Sequence, residues 1–192
     1  MPNLPSLPEN AHLSELFARY PKGIDHLMHF TDTVLRGEGA LSVGERELIA
    51  SYVSGLNACR FCFGSHVAYA ELFGIEQGLI EALLDDPDTA PVEPRLRPLL
   101  AYVRKLNTLP SRVTPADAQA VLEAGLPEAA LYEAIQVCGL FNMMNRIVEG
   151  TGVSFDYDAD PAAHPAHGST PEAHSRSYAN FGDRIAAMQV DD

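Results

Sequence analysis

The chain has 192 residues and carries 13 Lys and Arg side chains against 26 Asp and Glu, a formal net charge of −13. Its 46% hydrophobic content excludes wholesale disorder, and its negative charge argues against a nucleic-acid partner, because phosphate backbones repel it. No run of about 18 apolar residues is present, so we expect no membrane contact. The first ten residues lack the basic and apolar regions of a signal peptide, and we therefore expect a cytoplasmic protein.

Apolar residues recur with helical spacing along most of the chain, and no useful stretch alternates as a strand would. The pattern predicts an all-α fold, a single domain of about eight helices. The predicted helices lie at about residues 13–20, 24–36, 43–55, 57–74, 76–84, 94–106, 115–124 and 128–148. A loop rich in turn formers is predicted over residues 85–91.

Three helix starts carry recognisable signals. Ser42 with Glu45 three residues later predicts a capping box at the third helix. Asn57 is predicted to be the N-cap of the fourth helix. Thr114 followed by Pro115 predicts an N-cap with proline at the first helical position.

Composition divides the chain into three parts. Residues 1–10 hold three prolines and are predicted to form an N-terminal arm, and residues 11–155 are predicted to form the helical domain. From residue 156 Asp, Ala, Pro and His dominate, so residues 156–192 are predicted to be a C-terminal arm, extended over 158–173 and ending in a short helix over 177–188. Such a tail either frays or packs on a neighbouring subunit.

The chemistry is concentrated in one pattern: Glu47, eleven residues, Cys59, two residues, Cys62, three residues, His66. On a helix the two cysteines and His66 share one face. Cys59 is predicted in the first helical turn, where the helix dipole favours a thiolate. A turn between the third and fourth helices could bring Glu47 over His66, where its carboxylate would orient the imidazole.

These residue types suit thiol chemistry. A thiolate attacks a peroxide oxygen, a sulfenic acid forms, and a second thiol condenses with it to a disulfide. His66 takes the thiol proton, and an external dithiol reductant restores the pair. The helix dipole alone favours Cys59 as the attacking thiol by about 0.3–1 kcal/mol. A paired base contributes about 10²–10⁴ in rate, and His66 lies four residues after Cys62, so Cys62 is predicted to attack.

The motif resembles the signature of the alkyl hydroperoxidase D-like branch of the carboxymuconolactone decarboxylase superfamily, over about residues 12–153. The flanks are similar to its uncharacterised peroxidase-related subgroup at residues 41–44, 65–66 and 141–146. The resemblance implies an all-helical peroxidase-like domain, an antioxidant thiol-dependent peroxidase activity with a redox-active disulfide, and trimers or hexamers. It also implies that Cys62 is the peroxidatic thiol, Cys59 the resolving thiol, His66 the base and Glu47 its relay partner. Phe61 stands where the founding peroxidase has a second His, which makes the proton relay shorter.

Simpler structural roles remain open for some of these residues. The Cys pair could form half of a zinc site, or the two side chains could simply pack as small hydrophobic groups. A zinc site needs two further ligands, and His66 is the only one on the same helix face. We therefore expect neither a metal nor a cofactor. Asn145 and Arg146 could serve the site or an internal ion pair. Cys138 lies on an apolar helix and is expected in the core. The histidines at 26 and 29 could line the mouth of the site, but we expect them to be solvated or to have partners of their own. The histidines at 164, 167 and 174 could bind a metal adventitiously, but we expect them in a flexible arm.

The sequence therefore predicts a hydroperoxide-reducing oxidoreductase whose partners are a small hydroperoxide, a dithiol reductant and further copies of the chain. A different class of protein also fits: a helical oligomer whose dithiol relays or senses redox state without turnover. A decarboxylase of the founding type is a weaker third interpretation, since such relatives act without the Cys pair.

Overall fold

A computed structural model describes residues 1–157 and 159–188, and in these residues the chain is helical or irregular. The helices are α1 (Leu13–Arg19), α2 (Ile24–Arg36), α3 (Val43–Leu56), α4 (Arg60–Leu72), α5 (Leu79–Asp85), α6 (Arg97–Leu106), α7 (Pro115–Glu123), α8 (Glu128–Thr151) and α9 (Ser177–Met188). Short 3-10 helices lie at Pro94–Leu96, Pro161–Ala163 and Pro171–His174. The predicted all-α, single-domain fold is confirmed. Residues 158 and 189–192 of the predicted C-terminal arm lie outside the described residues.

Helix α3 lies at the centre of the molecule. Its residues 44–54 are all buried, which is the pattern of a helix surrounded by other elements. It packs chiefly on α4, which follows it after a short turn, and on the long helix α8. A charged residue on α3 is therefore forced to find its partners inside the protein.

Two of the predicted helix starts are confirmed. The Ser42 backbone N–H donates to Glu45 Oε2 at 2.7 Å, and the Glu45 N–H donates back to Ser42 Oγ at 3.2 Å. At the other start, the Thr114 N–H and the Thr114 hydroxyl both donate to Asp117 Oδ2 at 2.8 Å, and Pro115 occupies the first helical position. These caps satisfy backbone donors that a helix start otherwise leaves without partners.

The predicted start of the fourth helix is wrong. Asn57 ends α3, and Cys59 is the N-cap of α4. The Asn57 side chain is occupied by other amides: its Nδ2 donates to Asn145 Oδ1 at 2.9 Å, and its Oδ1 accepts from Asn107 Nδ2 at 2.8 Å. Ala58 takes a left-handed φ of 56°, so the new helix begins two residues later than expected.

The segment after α8 folds back over the helices. It is irregular, with two 3-10 helices where an extended arm is predicted, and α9 then lies along α2. The helices approach so closely that a Cβ at Gly182 would lie 2.9 Å from Met28 Cβ. The division of the chain into arms and a helical domain at residues 10 and 155 stays a prediction, but the C-terminal segment is packed on α2.

Candidate active site

The turn between α3 and α4 brings Glu47 onto His66. The Glu47 carboxylate is fully buried, and its Oε2 lies 2.6 Å from His66 Nδ1. The two residues are nineteen positions apart in sequence but face each other across the helix pair. The predicted pairing of these two side chains is therefore present in the structure.

A third charged residue completes this buried group. Arg36 ends α2, and its Nη1 donates to the other carboxylate oxygen of Glu47. The Arg36 side chain is buried, and the rings of Tyr69, Phe73 and Tyr178 lie about its guanidinium with centroids 4.8–5.2 Å from Cζ. Such faces attract a cation through the ring quadrupole. The guanidinium is thus held between a carboxylate and three aromatic rings.

The arrangement keeps Glu47 ionised. Burial alone would raise the pKa of the Glu47 carboxyl, but the charge of Arg36 and the contact with His66 outweigh it, so that pKa is lowered. Burial likewise opposes the charge of Arg36, yet Glu47 raises the pKa of the guanidinium. An ionised Glu47 requires that His66 Nδ1 carry a proton, which leaves Nε2 as an acceptor.

The two predicted thiols lie side by side at the start of α4. Cys59 is 0% and Cys62 is 4% exposed, both are reduced, and their side chains form a hydrogen bond. Cys59 occupies the N-cap position, where backbone N–H groups and the helix dipole favour negative charge. The structure thus brings the two predicted thiols together as a reduced, buried pair.

The pair is electrostatically asymmetric. Hydrogen bonding from the Cys62 thiol outweighs burial and lowers the pKa of Cys59. The same hydrogen bond, together with burial, raises the pKa of Cys62. Cys59 is therefore the more acidic thiol of the pair.

Asn145 of α8 is the further polar contact of Cys62. Asn145 is completely buried, and its Nδ2 donates to Ser54 Oγ at 3.2 Å. Its amide also hydrogen-bonds the Cys62 sulfur, and this contact acts to lower the pKa of the Cys62 thiol. The sequence left Asn145 and Arg146 as open candidates, and it is Asn145 that lies at the thiols. Arg146 points to the surface. The backbone of α8 places adjacent residues about 100° apart, which separates the two side chains.

Cys62 and His66 open into one cavity of about 420 Å³, which Cys59 does not line. Aromatic and apolar side chains form most of its wall, among them Phe61, Phe141 and Tyr157. Phe61, at the position of the family's second His, packs edge-on against His12, with ring centroids 5.1 Å apart. The His12 Nε2 lies 2.8 Å from the Tyr157 hydroxyl, so a hydrogen bond ties this part of the wall together.

The C-terminal segment roofs this cavity. His164 Nε2 lies 3.0 Å from Ser65 Oγ, and Arg36 Nε donates to the His174 carbonyl at 3.1 Å. Both histidines are buried and line the cavity with Tyr178. Burial lowers the pKa of His164 to about 4, so its imidazole is neutral near pH 7. His164 and His174 were expected in a flexible arm, and that expectation is wrong, because both are buried at the cavity.

Several residues expected away from the chemistry do lie outside the cavity. Cys138 is buried on α8, where burial raises the pKa of its thiol to about 11, as expected of a core cysteine. His26 is exposed, and His29 pairs with Asp183 at 2.7 Å on the surface.

Within residues 1–157 and 159–188, no group of three or more His, Cys, Asp and Glu side chains is arranged to hold a metal ion. None of the helices in the same residues combines the length and the hydrophobicity that a membrane span requires.

Arg36 was not identified from the sequence. Basic residues are common in the last turn of a helix, where they offset the helix dipole. Arg36 occupies such a position next to Gly37, so the sequence around it suggested no role in the site. His164 and His174 stand in a Pro- and Ala-rich stretch with no helical period. The one feature of the sequence that could have indicated a role for them is that they lie within about ten residues of each other.

Solved structures share this fold. An alkylhydroperoxidase AhpD core, an uncharacterized peroxidase-related protein from Ralstonia eutropha JMP134, superposes with a TM-score of 0.67 at 23% identity, over 72% of this chain and 73% of that one. An uncharacterized peroxidase-related protein from Silicibacter sp. TM1040 gives 0.67 at 26% identity, over 73% and 74%. The debrominase Bmp8 C82A in complex with 2,3,4-tribromopyrrole gives 0.65 at 12%, over 73% and 74%. No curated protein matches the chain significantly.

A family model matches part of the chain. Residues 21–105 match the carboxymuconolactone decarboxylase family, and this segment runs from just before α2 almost to the end of α6. It contains Arg36, Glu47, both cysteines of the pair and His66, and it excludes the roof of the cavity. The four predicted site residues therefore all lie in the segment that matches the carboxymuconolactone decarboxylase family.

Proposed function

We propose that the protein is a thiol-dependent peroxidase that reduces a small organic hydroperoxide at Cys62. The observation that carries the proposal is that Cys62 and His66 line one cavity, while Cys59 interacts with Cys62 and does not line that cavity. A hydroperoxide in this cavity would meet a thiol and a base on one side and aromatic side chains on the other. The peroxidase-related names of two structures with the same fold are consistent with this activity.

The first step is the attack of the Cys62 thiolate on the outer peroxide oxygen. Nε2 of His66 accepts the Cys62 proton, since its Nδ1 proton is held by Glu47. The S–O bond forms as the O–O bond breaks, and the departing alkoxide takes the proton from His66. The products are an alcohol and a sulfenic acid on Cys62.

The second step closes the disulfide. The Cys59 sulfur attacks the Cys62 sulfur, the S–O bond breaks, and water leaves with the Cys59 proton. Thiolate character at Cys59 suits this step, because a thiolate is the nucleophile in disulfide formation. An external dithiol then reduces the disulfide by exchange. One dithiol and one hydroperoxide thereby give one disulfide, one alcohol and one water.

Access and acidity point to different cysteines as the attacking thiol. The lowered pKa belongs to Cys59, but its side chain has no exposed surface and does not reach the cavity. Cys62 has the higher pKa and lines the cavity beside the base. We assign the attack to Cys62, because a hydroperoxide cannot react with a thiol that it cannot contact.

The test separates the two roles by trapping. Cys59→Ser should react once with cumene hydroperoxide and stall as a Cys62 sulfenic acid that dimedone labels, located by peptide mass spectrometry. Cys62→Ser should not react. Cys138→Ser is the matched control, because it removes a buried thiol outside the cavity and should leave turnover with a dithiol reductant intact. Labelling of Cys59 in the Cys62→Ser protein would reverse the assignment.

A second candidate is a dithiol–disulfide relay that oxidises once and does not turn over peroxide. The lowered pKa of an N-cap cysteine favours it, since such thiols are typical of disulfide exchange. Peroxide consumption under a dithiol reductant distinguishes the two. Many equivalents consumed per chain support the peroxidase, whereas a burst of one equivalent supports the relay.

We also propose that the protein works as a homo-oligomer, a trimer or hexamer, in the reducing cytoplasm. On helix α8, Tyr132 is 60% exposed and Met143 is 42% exposed. A contact between subunits would cover these two large side chains. A reducing compartment supplies the dithiol that the cycle consumes. Sedimentation of only a 20.8 kDa species at micromolar concentration would contradict the oligomer.

A further inference from the structure

The molecule has a second cavity, of about 430 Å³, which shares no lining residue with the thiol cavity. It lies between α3, α6 and the loop before α6. Four basic side chains converge on it, although the chain has only 13 in total and an acidic net charge. These four are Arg97, Arg104, Lys105 and Arg112. Basic residues gathered in one place in an acidic protein indicate attraction of an anion.

The charges at this cavity are not fully balanced. Lys105 pairs with Asp117, and Asp88 also lines the cavity, so four positive charges face two negative ones and two remain in excess. Arg104 and Arg112 form no ion pair with any described residue. Both guanidinium groups are therefore available to a ligand.

Tyr52 contributes a phenol side chain to the wall of the cavity. Its side chain is only 1% exposed and lines the cavity floor from α3, five residues beyond Glu47 and on another face of the helix. Its hydroxyl has no hydrogen-bond partner among residues 1–157 and 159–188. Burial raises the pKa of Tyr52, and the nearby charge of Arg104 opposes that rise. An unpartnered hydroxyl at a cavity wall can donate a hydrogen bond to a bound ligand.

The wall that carries these groups is held in place. Arg97 donates to the carbonyls of Pro87 at 3.2 Å, Asp88 at 3.1 Å and Ala90 at 2.6 Å, which fixes the loop that closes one side. The remaining wall is apolar and includes Leu83 and Val92. A preformed cavity with an apolar wall and a few converging polar groups is typical of small-molecule sites.

We propose that this cavity binds a phosphate monoester on a small apolar body. The phosphate would lie between Arg104 and Arg112 with the Tyr52 hydroxyl donating to it, and the apolar body would lie against Leu83 and Val92. A phosphate monoester carries about −1.5 to −2 charge near pH 7, which matches the excess of two positive charges better than a carboxylate does. Two guanidinium forks also suit the several oxygens of a phosphate.

The experiment is calorimetric titration of the full-length protein with four probes: phenyl phosphate, benzoate, inorganic phosphate and benzyl alcohol. Phenyl phosphate should bind at least about tenfold more tightly than each of the others, a difference of about 1.4 kcal/mol. Arg104→Gln and Arg112→Gln should each weaken phenyl phosphate about tenfold, and Tyr52→Phe about threefold. Arg176→Gln is the matched control, because it removes the same charge from an exposed position outside the cavity and should leave the affinity unchanged.

Three results would overturn the proposal. One is equal binding of phenyl phosphate and inorganic phosphate, which would leave the apolar wall without a role. Tighter binding of benzoate than of phenyl phosphate would exclude the phosphate assignment. Equal weakening by Arg104→Gln and Arg176→Gln would show that net charge, and not the cavity, determines binding. None of these results bears on the thiol chemistry, since the two cavities have no residue in common.

Discussion

His66 Nδ1 lies 2.6 Å from Glu47 Oε2, and this contact determines which nitrogen of the neutral imidazole can accept a proton. The charge of Arg36 keeps Glu47 ionised, so the proton of the neutral ring resides on Nδ1. Nε2 is then free to accept a proton. A carboxylate that only orients an imidazole can thus influence a reaction that it never touches.

The first prediction removes the negative charge of this carboxylate. In Glu47→Gln the amide can donate to Nδ1, which would move the ring proton to Nε2 and abolish the base. We expect the reaction of Cys62 with hydroperoxide to slow by about 10²-fold or more, within the range that a general base contributes. Quenched-flow mass spectrometry of the disulfide measures the rate. Glu38→Gln, at an exposed position, should react at the wild-type rate; an unchanged Glu47→Gln rate would refute the assignment of the base.

The second prediction concerns stability. Arg36→Met leaves the Glu47 carboxylate buried without its counter-ion, and we expect the free energy of unfolding to fall by about 3–5 kcal/mol. Adding Glu47→Gln should recover part of that loss, since a neutral amide is cheaper to bury than an unpaired charge. Urea denaturation of the two single variants and the double variant measures the coupling. Strictly additive losses would mean that the pair does not interact.

The third prediction concerns Asn145 and the Cys62 thiol. The amide hydrogen bond favours the thiolate, so Asn145→Leu should raise the pKa of Cys62 further. In the Cys59→Ser background, we expect alkylation of Cys62 by iodoacetamide to slow several-fold at pH 8 and to recover at higher pH. Asn10→Leu, at an exposed position that does not line the cavity, is the control. A slower reaction at every pH would indicate lost access and not a changed pKa.

The fourth prediction is an acid sensitivity set by the roof of the cavity. The pKa of His164 is lowered from 6.5 to about 4 in the folded protein, chiefly by burial. Between those values the unfolded chain binds a proton that the folded protein does not, so stability falls as pH drops through this window and is unaffected above it. The loss is at most about 3 kcal/mol.

Denaturation at pH 7 and pH 4.5 measures this loss. His164→Gln should be less sensitive to acid than the wild type. His167→Gln, three residues away on the same segment and exposed, should behave as the wild type does. Equal acid sensitivity of both variants would mean that other groups cause the effect. His12 and His174 are two such groups, because burial lowers their pKa values as well.

Local sequence signals predicted most of the helices and the contact between Glu47 and His66. The capping residues Ser42 and Thr114 act within three residues of their partners, so their role is visible in a short stretch of sequence. The pairing of Glu47 with His66 needed only a helix, a turn and a second helix. Such features depend on few contacts and on well-defined spacings.

The remaining features depend on contacts between distant parts of the chain. Asn57 is a good N-cap in isolation, but amides from α8 and from the end of α6 occupy its side chain, and the helix starts at Cys59. Arg36 meets the His174 carbonyl 138 residues away. The roof was predicted as an extended arm because Pro, Ala and His have no helical period, and its burial comes from partners that composition does not reveal.

The roof also has a consequence for how the protein is made. His164 follows Cys62 by about a hundred residues, and a ribosome adds roughly 5–20 residues per second. For several seconds the nascent chain therefore carries its thiol pair without the segment that covers it. Arg36 lacks its carbonyl partner during the same interval. An oxidant present at that stage would meet thiols that are not yet enclosed, so nascent chains should form mixed disulfides more readily than finished ones.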